Sequence, residues 1–425
     1  MLDLTGKTVA ILGAGRSGQA AARLAAHCGA RVTIYDSREA PGAVMATVET
    51  GREVKVDLVV VSPGIETLGD FVQAFTQGSG ALWGETELAW RCYPGHTIGI
   101  TGTNGKTTTT ELVRDLVEAT GRSCVACGNY GVPLSEVVLY NRVPDVIALE
   151  LSSFQLETIV DFKPDAVIWL NFSPDHMDRY DTVAQYREAK LRILENINPG
   201  TPVVVRAGEG LTEKGSQITF SSQGDADWFL SGEDIFKGDG KFISIAETKL
   251  RGLHNAENLM AACAVVTGLT PEVARDALAN YSPPEHRCEL VAIIDGVEYL
   301  NDSKATNLHA LESALRAQNR PTILIAGGKQ KGLDYAPLIP ILRKSAKRMI
   351  TFGEIGTELA CIFSGVIPCL TVATLDEAVA AASAQSEPGD TVLFSPGTSS
   401  FDQFNGYEER GRAFKAAVPR LTKTL

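Results

Sequence analysis

The chain has 425 residues, 44% of them hydrophobic and 21% charged, with a formal net charge of −12. These values suit a globular protein of about three domains, and the negative balance excludes bulk attraction to nucleic acid or an anionic membrane, so any anionic ligand must meet a local cluster of cations. No apolar run reaches the roughly 18 residues of a membrane span, Met1-Leu2-Asp3-Leu4 has no secretory pattern, and the eight cysteines are scattered apart from a lone CxxC at Cys124 and Cys127, so reduced thiols, no zinc and a cytoplasmic chain are expected.

Thr8–Leu12 reads as a strand, Gly13-Ala14-Gly15-Arg16-Ser17-Gly18 as a tight loop, and residues 19–28 as an Ala-rich helix. A second strand, Arg31–Asp36, ends in an acid. This is the G-x-G-x-x-G fingerprint, in which glycines admit a diphosphate to the backbone and the carboxylate meets a ribose. Such loops suit any diphosphate-linked nucleoside, so base and sugar stay open. A structural glycine turn beside a solvated Asp36 is the plain alternative. Leu58–Val61 with Ser62-Pro63-Gly64 adds one strand and loop before the pattern ends near Arg91.

Residues 97–101 read as a buried strand, Gly102-Thr103-Asn104-Gly105 as a loop, and Lys106-Thr107-Thr108 leads into helical spacing over 109–118. Together they make a phosphate cradle. Loop N–H groups and the positive helix end attract oxyanions, Lys106 supplies a point charge, and the Thr107 hydroxyl suits Mg²⁺. Ile100 stands where a Walker A motif has its first Gly, so the loop is a shorter form.

Residues 146–149 form an apolar strand ending in Glu150, a carboxylate placed to hold Mg²⁺, with Leu151-Ser152-Ser153 after it. Residues 166–170 form another, followed by Asn171 and Asp175-His176-Met177-Asp178-Arg179. His176 there is either a metal ligand or a structural histidine. Lys190 lies in a helix over 186–194 and, from spacing alone, is a solvated lysine. His254-Asn255-Ala256-Glu257-Asn258 opens an Ala-rich helix whose amides either read a purine edge or cap the helix.

Ser282-Pro283-Pro284-Glu285 reads as a linker. Beyond it, residues 297–300, 322–326 and 391–394 are strands ending in Asn301–Asn307, in Gly327–Gly332 and in Ser395–Phe401. Polar and cationic loops at three strand ends are what an open parallel sheet presents to an anionic ligand. Strands and helices alternate throughout, so the fold class is α/β with three domains: a Rossmann-like domain at 1–91, a central P-loop ATPase-like domain with a mainly parallel sheet at 92–282, and a Rossmann-like domain at 283–425.

Gly102–Thr107, the run from Glu150 to Leu156, the Asp175–Arg179 run and Asn301–Asn307 resemble the Mur ligase family of peptidoglycan synthesis, the last most like its D-glutamate-adding branch. The resemblance covers nearly the whole chain and explains the short phosphate loop. It implies an ATP-dependent amide ligase of cell wall biogenesis, acting on UDP-N-acetylmuramoyl-L-alanine and D-glutamate through an acyl phosphate and a tetrahedral intermediate. It also implies two Mg²⁺ sites and a monomer that contacts neither nucleic acid nor membrane. Lys106, with Gly102, Thr103, Asn104, Gly105, Thr107 and Thr108, would hold the ATP phosphates. Thr107 and Glu150 would hold the first Mg²⁺. His176 and Lys190, the latter carbamylated by CO₂, would hold the second. Asn258, Arg287 and Asp302 would serve the rest of the nucleotide. Asn129 and Ser152 would face the muramoyl arm, and Ser17, Asp36, Ser37 and Gly64 the uridine diphosphate. Lys304, Thr306, Lys331, Ser400, Phe401 and Tyr407 would surround the glutamate. Arg16 stands where relatives often have an apolar residue. A nicotinamide oxidoreductase, a non-catalytic ATP switch, and a folylpolyglutamate-type or L-glutamate-adding ligase are the competing readings.

Overall fold

The computed structural model describes residues 2–423 except 178, 212, 213, 280, 283 and 284. Asp178 of the histidine motif, and Pro283 and Pro284 of the expected linker, therefore lie outside the described residues. Strands of the described residues assemble into three sheets.

The first sheet is parallel, in the order Val44–Met45, Arg31–Asp36, Thr8–Leu12, Leu58–Val61, Leu82–Gly84. All four residues of Leu58–Val61 are buried, as expected of a strand covered on both faces. Chain order reverses between Thr8–Leu12 and Leu58–Val61. The carboxyl ends of these two strands therefore open a crevice, walled by the loop at 13–18 and the loop at 62–67.

The second sheet has nine strands. Its centre is parallel: Pro202–Arg206, Ala166–Trp169, His96–Thr101, Val146–Glu150 and Cys124–Gly128 lie side by side. Ser216–Ser221 adds in parallel to Pro202–Arg206, and Trp228–Ser231, Asp234–Lys237 and Gly240–Ser244 continue the sheet beyond it as an antiparallel meander that the sequence pattern does not mark. In the third sheet, Val297–Asn301, Thr391–Phe394, Thr322–Gly327, Ala346–Phe352 and Cys369–Thr371 are parallel, and Glu289–Ile294 is an antiparallel edge.

Residues 1–248 with 257–281 form one compact unit, and residues 249–256 with 282–425 form another. The first two sheets thus share a unit, and their cores are continuous: Leu24 and Leu88 belong to the same buried cluster as Leu134, Val137, Leu156 and Phe162. A fully buried carboxylate adds to that seam. Glu87, on the helix Glu85–Trp90, accepts from the backbone N–H groups of Val160, Asp161 and Phe162 at 2.9, 3.0 and 3.0 Å, and from Arg91 Nε at 2.7 Å.

Candidate functional site

His96–Thr101 ends at Gly102, and the helix Lys106–Ala119 begins four residues later, three residues earlier than its apolar spacing indicates. Gly105 has φ 87°, and a Cβ on it would stand 2.2 Å from Asn258 Oδ1, so only glycine serves there. Asn171 braces the loop from the neighbouring strand end. Its Oδ1 accepts from Asn104 N–H at 2.9 Å, its Nδ2 donates to Asn104 O at 3.0 Å, and its carbonyl accepts from Thr103 N–H at 2.9 Å. Thr107 and Thr108 are buried beneath the loop.

Lys106 Nζ donates to the carbonyls of Gly102 and Thr103, both at 2.9 Å. Lys190 Nζ donates to the same Gly102 carbonyl at 2.9 Å. The expected solvated lysine is therefore corrected: Lys190 is 1% exposed, on the inner face of the helix Val183–Leu191. Its helix-face neighbours Tyr186, Ile193 and Leu194 are buried with it, and the Gly102 carbonyl of the phosphate loop meets its amine. Burial, with the charge of Lys106 second, pushes its pKa well below the usual lysine range. The ammonium lies 4.9 Å from the ring centroid of Tyr186.

Glu150 is buried at the end of Val146–Glu150. Its Oε1 accepts from Asn129 Nδ2 at 2.8 Å, while its Oε2 is buried with no hydrogen-bond partner. A bare buried carboxylate oxygen beside a phosphate loop fits a divalent cation, as does the Thr107 hydroxyl class of donor. Ser152 caps the short helix Ser153–Leu156 through a capping box with Gln155. Phe154 on that helix meets His176 edge-on at 4.9 Å, and His176 lies 5.8 Å from Tyr186. His176 itself is a left-handed residue with φ 57° and a half-exposed ring. Among the described residues no group of three His, Cys, Asp or Glu side chains forms a ready metal cage.

In the first crevice, a Cβ on Gly18 would stand 1.8 Å from Gly13 O, whereas Gly15 faces open space. Asp36 Oδ2 accepts from Ala14 N–H at 2.8 Å and Oδ1 from Arg38 N–H at 3.0 Å. The Ala14 bond is the main reason its pKa lies below the carboxylate norm. Asp36 thus braces the glycine loop, and its side chain is not simply solvated. Ser17 is half-buried, while Ser37 and Gly64 are exposed at the crevice rim. Arg16 is turned aside, donating to Gly131 O at 2.9 Å with Glu136 3.5 Å away.

The unit containing residues 282–425 holds the remaining residues. Asp302 is buried, accepting from Ser395 Oγ at 2.7 Å and Cys288 N–H at 3.3 Å, and burial raises its pKa to about 7. Arg287 Nε is buried without a partner, as a donor reserved for a ligand would be. Lys304 Nζ donates to Tyr407 Oη at 2.9 Å, and the exposed Lys331 reaches Thr306 O at 3.4 Å. Ser400 is buried, and the neighbouring Phe401 is 64% exposed.

Sequence reasoning missed two arginines. Arg410 is fully buried and donates to Ser303 Oγ, Ser303 O and Thr398 O at 3.1, 2.8 and 3.1 Å, tying the strand-end loops together. Arg179, quoted only as part of a motif, reaches the loop at 62–67. Long side chains bridging distant segments leave no local pattern to read.

Three family profiles match the chain: the Mur ligase middle domain at residues 100–266, the Mur ligase glutamate ligase domain at 286–397, and the NAD-binding domain of D-isomer specific 2-hydroxyacid dehydrogenases at 1–60. A UDP-N-acetylmuramoylalanine--D-glutamate ligase of Myxococcus xanthus is 39% identical, the match covering 99% of this chain and all of that one. One of Desulfitobacterium hafniense is 37% identical over 99% of each chain. Among solved structures, a UDP-N-acetylmuramate-alanine ligase of Thermotoga maritima superposes with a TM-score of 0.62 at 17% identity, over 99% of this chain and all of that one. A MurF ligase of the same organism in complex with ADP gives 0.62 at 16%, over 99% and 96%. Those two likenesses are of fold.

Proposed function

The chain belongs to the Mur ligase family, and on that premise we propose that it is the ATP-dependent ligase adding D-glutamate to UDP-N-acetylmuramoyl-L-alanine. The observation that carries this is similarity over 99% of the chain to relatives named for that reaction. The phosphate loop provides the chemistry. The nicotinamide reading accounts for the first 60 residues and leaves the matches at 100–266 and 286–397 unexplained.

An amine does not displace oxide from a carboxylate, so the γ-phosphoryl group of ATP passes to the alanyl carboxylate first. The resulting acyl phosphate offers a good leaving group to the glutamate amine, and collapse of the tetrahedral adduct gives the amide. Lys106, leaving its two loop carbonyls, neutralises phosphoryl charge as it develops. Gly102–Thr108 would cradle the phosphates, and Asn258, Arg287 and Asp302 the remainder of ATP. Thr107 and the unpaired Glu150 Oε2 would hold one Mg²⁺, and His176 and Lys190 a second; bound Mg²⁺ offsets phosphate charge. Lys190 fits the second role only as an anion. Its burial favours the neutral amine, the form that adds CO₂ to give a carbamate. Ser17, Asp36, Ser37 and Gly64 would take the uridine diphosphate, Asn129 and Ser152 the muramoyl-alanine arm. Lys304, Thr306, Lys331, Ser400, Phe401 and Tyr407 would receive glutamate. These roles follow three modules at 1–91, 92–282 and 283–425, in a cytoplasmic monomer; no helix of the described residues is long and apolar enough to cross a membrane.

Phosphate release from ATP, measured with the UDP-linked acceptor and a panel of amino acids, tests the reading. D-glutamate should support turnover, with L-glutamate and D-aspartate poor. A pocket pairing both carboxylates leaves donors unsatisfied when one is misplaced, which costs about 1–3 kcal/mol per group. Equal rates with D- and L-glutamate would point to another branch of the family.

A further inference from the structure

We propose that Arg179 is a positioning residue for the uridine-linked acceptor, holding the loop around Gly64 in the shape that walls the first crevice. The inference rests on the reading that this crevice takes a uridine diphosphate. The loop at 62–67 leaves the carboxyl end of Leu58–Val61 and packs on the other glycine loop: Ser62 N–H donates to Leu12 O at 3.0 Å, and Ser62 Oγ would sit 2.9 Å from a Cβ placed on Gly13. Gly64, at its tip, has open space where a side chain would be. Its position is therefore set by its neighbours.

Those neighbours are held by residues on the segments that follow two strands of the second sheet, Val146–Glu150 and Ala166–Trp169. Arg179 Nη1 donates to Pro63 O at 3.3 Å and Nη2 to Ile65 O at 3.1 Å, the two carbonyls that flank Gly64. Nη2 also donates to Glu157 Oε2 at 2.9 Å. Glu157 in turn accepts from Thr67 Oγ1 at 2.8 Å, at the far end of the same loop, and from Tyr180 Oη at 2.5 Å. The Arg179 side chain is 14% exposed, and its guanidinium carbon lies 4.2 Å from the Phe154 ring centroid, with His176 against the same ring. One planar group thus joins the rim of the uridine crevice to the aromatic cluster beside the phosphate loop.

The turn itself does not need Arg179. Ile65 N–H donates to Ser62 O and Gly69 N–H to Glu66 O, bonds internal to the loop and its continuation. Removing the guanidinium leaves the turn formed but unanchored, so the crevice loses preorganisation while the phosphate loop keeps its own braces. Lysine is no substitute. Its ammonium is a point charge, without the flat fork that spans two carbonyls and a carboxylate together.

The experiment uses the full-length enzyme with Arg179→Ala and Arg179→Lys. UDP binding is read by calorimetry, KM for acceptor and ATP by phosphate release. We expect UDP to bind on the order of ten-fold more weakly in both variants. The acceptor KM should rise in step, with the ATP KM within about two-fold of native. Should Arg179→Ala not yield folded protein, Thr67→Val frees the same loop by deleting one hydroxyl, and UDP affinity should fall by about two- to three-fold. Native affinity for UDP in either frame-weakening variant, or full rescue by Arg179→Lys, overturns the proposal. A parallel loss of ATP and UDP affinity also overturns it, marking Arg179 as a general stabiliser. Failure of the native enzyme to bind UDP at all overturns the crevice reading, and this proposal with it.

Discussion

The two glycine loops of the unit formed by residues 1–248 and 257–281 share a plan and differ in charge. Each follows a parallel strand and opens a helix. In the first, the side-chain-free face of Gly15 lies open, the loop is braced by an acid, Asp36, and the one basic residue, Arg16, is turned to Gly131 and Glu136. In the second, two lysines converge on the single carbonyl of Gly102, and a carboxylate oxygen waits unpaired in the same unit. On the reading proposed above, a loop that only has to hold a diphosphate can do so with backbone N–H groups. A site that must stabilise charge as it moves keeps cations in store, because only interactions that strengthen toward the transition state speed the chemistry.

The contrast is broken most severely at Lys106. Lys106→Ala should lower kcat by about 100-fold or more and leave UDP affinity unchanged, since it deletes charge stabilisation in the second loop alone. Retention of a tenth of native kcat would put the phosphate loop on a par with the first. Lys190→Ala should also be nearly inactive, and added short-chain carboxylates should restore part of the rate by supplying the missing anion. Full activity in that variant would reduce Lys190 to a packing residue. Gly18→Ala tests the first loop's geometry: its new methyl meets Gly13 O, so thermal unfolding should report a loss of about 1–3 kcal/mol. Gly15→Ala, where space is open, should unfold almost as native yet bind UDP less well. The smallest effect is expected at Asp36→Ala. Losing the acceptor for Ala14 N–H should cost about 1 kcal/mol of acceptor binding, seen as a several-fold rise in its KM with the ATP KM unmoved. A rise in the ATP KM instead would mean the two loops had been assigned the wrong nucleotides.

Both loops were legible in the sequence, because glycine spacing after an apolar strand reports a local backbone requirement. So were the strand-end positions of Glu150, Asn171 and Asp302. What stayed hidden depends on contacts between segments far apart in the chain. Lys190 shares a helix face with the buried Tyr186, but the carbonyl that meets its amine, Gly102 O, lies 88 residues earlier. Asp36 reads as a ribose ligand, but whether it also braces Ala14 depends on register. Arg179, Glu157 and Arg410 carry no periodic signal. The meander at 228–244 escaped because its short strands lack a strong alternation.

Glu87 sets a limit on how such a chain can be recombined during evolution. Its carboxylate is the acceptor for three consecutive amides of a segment more than seventy residues downstream. A crossover near residue 91 that imported a foreign first module would have to bring an acid to the same spot. Otherwise each orphaned amide would cost about 1–3 kcal/mol, a sum comparable to the 5–15 kcal/mol that holds a whole domain folded. On that physical ground the first sheet and the second would be exchanged together, and a change of ligand in the crevice would come by point substitution within its loops.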